Sequence, residues 1–103
     1  MDKEYELSFL PLFSEDLNGI VDYITVKLQN PEAAKRLIDD VEKAIYKRRT
    51  CPLSFEPYHS FNEHPYPYYQ MQVKNFTVFY VVIGNTMEVR RIIYSRRDLN
   101  NLI

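Results

Sequence analysis

Residues 76–98 read FTVFYVVIGNTMEVRRIIYSRRD, and their pattern decides the fold. Phe76 to Ile83 is a nearly unbroken β-branched and aromatic run, Gly84-Asn85 is a two-residue pair suited to a type II′ turn, and Met87 to Ser95 resumes strand composition. A run that is apolar on both faces belongs in the centre of a sheet. The returning strand carries Arg90 and Arg91 in its middle and Arg96 and Arg97 at its exit, so four of the seven arginines fall within eight residues. Charges on a strand edge also block edge-to-edge pairing, which suffices for any single arginine; the cluster as a whole points to a polyanion or an acidic partner. Strict alternation puts Arg90, Ile92 and Tyr94 on one face and Val89, Arg91 and Ile93 on the other, so Tyr94 and Arg90 are expected to share a groove with Arg96 at its rim.

Upstream, Tyr68 to Val73 reads as a further strand and Lys74-Asn75 as the turn that joins it to the hairpin. Thr50 to Pro67 holds Pro52, Pro57, Pro65 and Pro67 with Tyr58, Phe61 and Tyr66 between them, a segment that cannot be regular helix and whose aromatics predict a loop laid on the body of the domain. Before it, Asn30-Pro31-Glu32 starts a helix with a cap, a proline in the first turn and an acid at the positive end of the dipole. Its stripe is Ala34, Leu37, Ile38, Val41 and Ile45. Its last turn gathers Lys47, Arg48 and Arg49, where the dipole favours cations, so placement there accounts for them without a ligand.

An earlier helix is predicted to start at Ser14, whose hydroxyl caps and whose followers Glu15 and Asp16 suit the helix N-terminus, and to end near Gln29. Its stripe is Leu17, Ile20, Val21, Ile24 and Leu28. Tyr5, Leu7 and Phe9 alternate with polar residues and form a first strand that Pro11 closes. The fold class is therefore α+β: an N-terminal strand, an antiparallel helical hairpin, then a three-stranded antiparallel meander, with the helices on one face of the sheet and the other face left free.

The chain has 103 residues, room for a single domain over 1–103 that buries roughly two thirds of its unfolded surface. Nine Tyr and six Phe with only two Gly exclude a disordered or linker-like chain. The net charge of −1 conceals a polarity: residues 1–32 hold seven acids and two bases, and the rest hold eleven bases and seven acids. No apolar run reaches membrane-span length, and the start MDKEYE lacks the layout of a signal peptide, which points to a cytoplasmic protein with no membrane partner. The single Cys51 fits a reducing compartment.

Zinc ligation by Cys51, His59 and His64 is disfavoured because the spacing matches no paired ligand motif, and neither metal nor cofactor is expected. Cys51 with His59 as a nucleophile pair lacks anything that lowers the thiol pKa, two glycines exclude a phosphate-cradling loop, and Asp39 and Asp40 read as solvated helix surface. Cutting RNA without a metal requires a base for the 2′-hydroxyl, cations for the phosphate and an acid for the leaving oxygen. Arginine supplies only the cations, and Tyr94 is a poor base at its ordinary pKa near 10.

The order of DLNGIVDYI, NPEAAKRLIDDVEKAI, YYQMQVKNFTVFYVV and VRRIIYSRRDL resembles the RelE/ParE superfamily of toxins from type II toxin-antitoxin modules, over nearly the whole chain. The resemblance implies a small toxin held in a hetero-oligomer by a cognate antitoxin with an acidic, partly disordered tail. It also implies one of two targets: the ribosome with its mRNA, cut in the manner of RelE, or DNA gyrase, poisoned in the manner of ParE. Positions matching the basic sheet residues of the ribonucleases hold Gln70, Gln72 and Thr77. Arg96 matches an arginine they use, and Tyr94 stands where many relatives carry histidine. The reading is therefore ParE-like, with Arg90, Arg91, Arg97, Gln70, Gln72 and His59 as candidate contacts for a target or RNA. Arg96 and Tyr94 are catalytic only in the alternative, a ribonuclease in which Tyr94 or His59 moves a proton. A decayed toxin that only binds antitoxin is the third reading.

Overall fold

A computed structural model describes residues 4–59 and 62–103, so Phe61 of the proline-rich loop and the first three residues lie outside the described residues. Strand β1 (Glu6–Phe9) leads into helix α1 (Pro11–Asp22), a π-helical turn (Tyr23–Lys27) and helix α2 (Pro31–Arg48); strands β2 (Tyr69–Val73), β3 (Phe76–Ile83) and β4 (Thr86–Tyr94) follow, and a one-turn helix α3 (Leu99–Leu102) comes last. The sheet order is β1-β4-β3-β2, antiparallel except that β1 lies parallel to β4. This is the α+β arrangement expected from the sequence, with β3 and β4 inside.

Helix α2 forms as its sequence dictates. The Asn30 side chain accepts a hydrogen bond from Ala33 N at 3.2 Å, Pro31 supplies a preset φ, and Ala34, Leu37, Val41 and Ile45 are buried. Leu37, Val41 and Ile45 pack with Phe13 from α1 on Met71, Val78, Tyr80, Val89 and Ile92 of the sheet. At Gly84 φ is +59° while Asn85 keeps a negative φ, the combination that a type II′ turn requires.

Helix α1 departs from expectation at both ends. It starts at Pro11 rather than Ser14, and Leu10 precedes it in extended geometry with no side-chain cap. Leu10 N is pinned to Val89 O at 3.0 Å and Leu10 O receives Phe13 N at 3.0 Å, so the strand itself hands the chain to a proline already set for a helix. At the other end the π-turn widens the coil and breaks the 3.6-residue phase. Leu28, counted in the buried stripe, is 56% exposed beside Tyr23 and Val26, and Gln29 turns the chain with φ +49°.

Two further expectations are overturned. In the ladder Phe79 faces Arg91 and Tyr80 faces Val89, so Arg90 is the extra residue of a β-bulge. The bulge shifts the phase of β4: Val89 and Ile92, not Val89 and Arg91, share the helix-packed core, while Ile93 joins Phe79 on the opposite face. That opposite face is not free either. Tyr58, Tyr68, Leu99, Leu102 and Ile103 cover Phe79 and Ile93, and Tyr58 donates to Asn100 Oδ1 at 2.6 Å. Apolar side chains on both faces of β3 leave no stable alternative to a second cover.

Candidate partner-binding site

The residues singled out on the sheet divide into three places. On the face roofed by the last turn, Thr77 is buried and neutral donors and acceptors close on one another: Gln72 Nε2 donates to Ser95 Oγ at 2.7 Å and to Lys74 O at 2.8 Å, Thr77 Oγ1 donates to Gln72 Oε1 at 3.2 Å, and Thr77 and Ser95 hydroxyls lie 2.8 Å apart. Gln70 is exposed next to them, and its main-chain carbonyl accepts from Arg48 at 3.1 Å.

Arg90 belongs to that same face but turns inward. Its Nε and Nη2 donate to Glu88 Oε2 at 3.0 and 2.8 Å, and its Nη1 lies 3.3 Å from the Tyr68 hydroxyl. Burial opposes the cation, but the bonds to Tyr68 and Glu88 outweigh it and hold the guanidinium above its usual pKa. Arg91 is also engaged: Nε and Nη2 grip Asp16 at 2.7 and 3.1 Å, a bidentate pair that raises its pKa against the pull of burial.

Tyr94 does not meet Arg90. Past the bulge it lies against Phe76, ring centroids 5.8 Å apart, and faces a groove between α1 with its π-turn and the outer edge of β4. The groove encloses about 920 Å³, with Ile20, Tyr23 and Ile24 on the helical wall and Phe76, Ile92 and Tyr94 on the sheet wall. Glu15 and Asp16 stand toward one end, and Arg97 stands at the other. Arg96 and Arg97 are exposed and make no ion pair among the described residues.

His59, 85% exposed, contacts Glu56 at 3.3 Å, whereas the His64 ring lies tilted against Tyr68, centroids 4.2 Å apart, and meets Ile103 O at 2.7 Å. Cys51 is exposed with the Thr50 hydroxyl 3.8 Å from its sulfur. Among the described residues no group of three or more His, Cys, Asp or Glu is arranged to hold a metal ion, and no helix is long and apolar enough to cross a membrane.

The groove was missed by sequence reasoning, which assigned Asp16 to the helix dipole and Ile20 and Ile24 to the core. One signal was present. Gly19 sits in the middle of α1, where glycine costs up to about 1 kcal/mol relative to alanine, and a Cβ there would meet nothing within 4 Å. A helix that keeps glycine over open space on its groove side has been spared bulk rather than strain.

Comparison with known proteins places this geometry. The family described as the ParE toxin of type II toxin-antitoxin system, parDE, matches residues 7–99. No curated protein matches the sequence. Among solved structures, a chain from the chromosomal ParDE TA system of P. aeruginosa superposes with a TM-score of 0.69 at 20% identity, covering 87% of this chain and 95% of its own. A chain of the RelB-RelE antitoxin-toxin complex from Methanococcus jannaschii follows with a TM-score of 0.52 at 21% identity, covering 93% and 98%. At these identities the two structures speak for the fold, and the family match speaks for descent.

Proposed function

Since the chain belongs to the ParE toxin family of type II toxin-antitoxin systems, we propose that it arrests growth in the cytoplasm by binding DNA gyrase, without bond-making chemistry of its own, and that a cognate antitoxin silences it by filling the groove beside β4. The observation that carries the choice of target is the neutral, self-satisfied network of Gln72, Thr77 and Ser95 under a roofed sheet face. A ribonuclease of this superfamily needs cations and a proton donor on that face. Here its two nearest arginines are committed to Glu88, Tyr68 and Asp16, and Tyr94 faces the other way. Losing one preorganised donor to a phosphate transition state costs about 10²- to 10³-fold in rate. Arg96 and Arg97, exposed and uncommitted, are the contact charges, with Gln70 and His59 at the periphery.

The whole chain acts as one unit in this reading. The antitoxin is recognised by an acidic, partly disordered tail that orders on binding. Purified chain is expected to perturb gyrase supercoiling, and induced cells are expected to keep their mRNA uncut by primer extension. Discrete in-frame cuts that disappear in Arg96→Ala would replace gyrase by the ribosome.

A further inference from the structure

Strand β2 ends the sheet on the side away from the groove, and its own residues do nothing to protect that edge. Tyr69–Val73 reads YQMQV, without the charge or proline that commonly keeps a free edge from pairing, and Lys74 just beyond it is paired with Asp40 at 3.1 Å. The two-residue turn Lys74-Asn75 makes Val73 and Phe76 the closing hydrogen-bonded pair of the hairpin, so Met71 and Tyr69 also bond to β3. Gln70 and Gln72 therefore turn their main-chain groups outward, with Tyr68 and Lys74 flanking them.

The chain answers three of these four carbonyls from within. Tyr58 N donates to Tyr68 O at 2.6 Å, Arg48 Nη1 to Gln70 O at 3.1 Å and Gln72 Nε2 to Lys74 O at 2.8 Å. Gln70 O is the one of the three that lies inside the strand, and its donor is anchored: Arg48 Nη1 also meets the Tyr80 hydroxyl at 3.0 Å, and the guanidinium lies 3.5 Å over the Phe55 ring. The Gln70 amide and both main-chain groups of Gln72 have no hydrogen-bond partner among the described residues. An antiparallel neighbour spanning the two glutamines exchanges a pair of bonds with each, and a parallel neighbour bridges Gln70 O and Gln72 N with one residue. Either one must bring an N–H to the place that the Arg48 guanidinium fills.

Without that guanidinium the edge is self-complementary. Two copies related by a two-fold axis beside Met71 set Gln70 of each opposite Gln72 of the other, and these two rungs carry four main-chain bonds. No like charges meet there, because β2 has none. We propose that Arg48 guards this edge: it keeps the chain from joining β2 to β2 with a second copy of itself, and its loss turns the four-stranded sheet into half of an eight-stranded one. The guard is independent of how the groove and the target are read.

The test compares the full chain with two variants by sedimentation equilibrium. The parent is expected to be monomeric from micromolar to near-millimolar concentration, whereas Arg48→Ala and Arg48→Met, the second of which keeps an apolar stem over Phe55, form dimers, self-associating at least about tenfold more tightly. Amide exchange at Gln70 and Gln72 should slow by about tenfold or more in those dimers relative to the parent. Tyr80→Phe, which loses stability but leaves Arg48 on Gln70 O, should stay monomeric. Adding Gln72→Pro to Arg48→Met removes an outward N–H that β3 does not use and should restore the monomer. A folded Arg48→Met that remains monomeric, a dimer whose Gln70 and Gln72 amides exchange as in the parent, or equal association of Tyr80→Phe overturns the guard. Growth past the dimer overturns the two-fold pairing, since it requires copies to meet through a second surface.

Discussion

Arg48 was grouped by its position with Lys47 and Arg49 as a helix-end cation, and its side chain does something else. It donates from Nη1 to Gln70 O at 3.1 Å and to the Tyr80 hydroxyl at 3.0 Å, and its guanidinium lies 3.5 Å over the Phe55 ring. Tyr80, fully buried, passes its own hydroxyl proton to Pro52 O at 2.8 Å, so one arginine and one tyrosine tie α2, the proline-rich loop and the sheet together. Arg48→Ala should therefore cost about 2 kcal/mol in a urea melt, since hydrogen bonds to charged groups contribute about 1.5–3 kcal/mol. It is unsuitable as a neutral control in a toxicity assay. Burial raises the Tyr80 pKa, partly offset by Arg48, so the fold favours the neutral phenol. The stability it lends is present below the ordinary tyrosine pKa near 10 and is lost as pH rises from there through the folded value. Tyr80→Phe is expected to flatten part of that alkaline decline, while costing about 1–3 kcal/mol at neutral pH for the Pro52 carbonyl left unpaired.

Among the elements, the turns and the helix α2 were plain in the sequence because each rests on local chemistry: a cap at Asn30, a proline after it, a glycine at the head of a hairpin. Gly84→Ala tests the last of these. A Cβ there meets nothing within 4 Å, so only the left-handed φ of +59° is charged against it, about 1 kcal/mol or a fall in Tm of roughly 5 °C. Gly19→Ala should do the reverse, raising stability by up to about 1 kcal/mol in the same calorimetric scan. The π-turn left no legible mark, because nothing in YITVK distinguishes a chain bonded from residue i to i+5 from one bonded to i+4. The bulge did leave one. Arg90-Arg91 followed by Ile92-Ile93 is a doubled pair that breaks strict alternation, and a change of phase between Val89 and Ile92 accommodates it.

Over the whole molecule, the polarity of the sequence is spent on holding the fold together. The acidic first third meets the basic remainder in Glu4 with Arg49 and Asp16 with Arg91, and Asp40 pairs with Lys74 at 3.1 Å. Four arginines in eight residues looked like one patch, yet two are consumed internally and two are left over. Sequence spacing separated them poorly, since Asp16 and Tyr68 lie far away along the chain and only Glu88 is a near neighbour of Arg90. Arg96→Ala combined with Arg97→Ala is expected to leave the melting curve within about 0.5 kcal/mol of the parent while abolishing growth arrest, because exposed unpaired charges contribute little to stability. If the double variant instead lost stability and kept its toxicity, the contact surface would lie elsewhere.

The extra residue at Arg90 makes β4 a strand whose outcome depends on counting. Upstream of it the side chains keep time with β1; downstream they run one beat late, with Tyr94 over the groove and Ser95 beside Gln72. Removing Arg90 without altering any other residue would take out only that extra beat: Val89 and Arg91 would become neighbours opposite Tyr80 and Phe79, strict alternation would resume, and Tyr94 would keep the groove and Ser95 its place beside Gln72. Deleting Ile93 instead, where the ladder holds no spare residue, would turn Tyr94 toward the roofed face and Ser95 away from Gln72, so the loss of one codon spares or rewrites the surface that partners read according to where it falls.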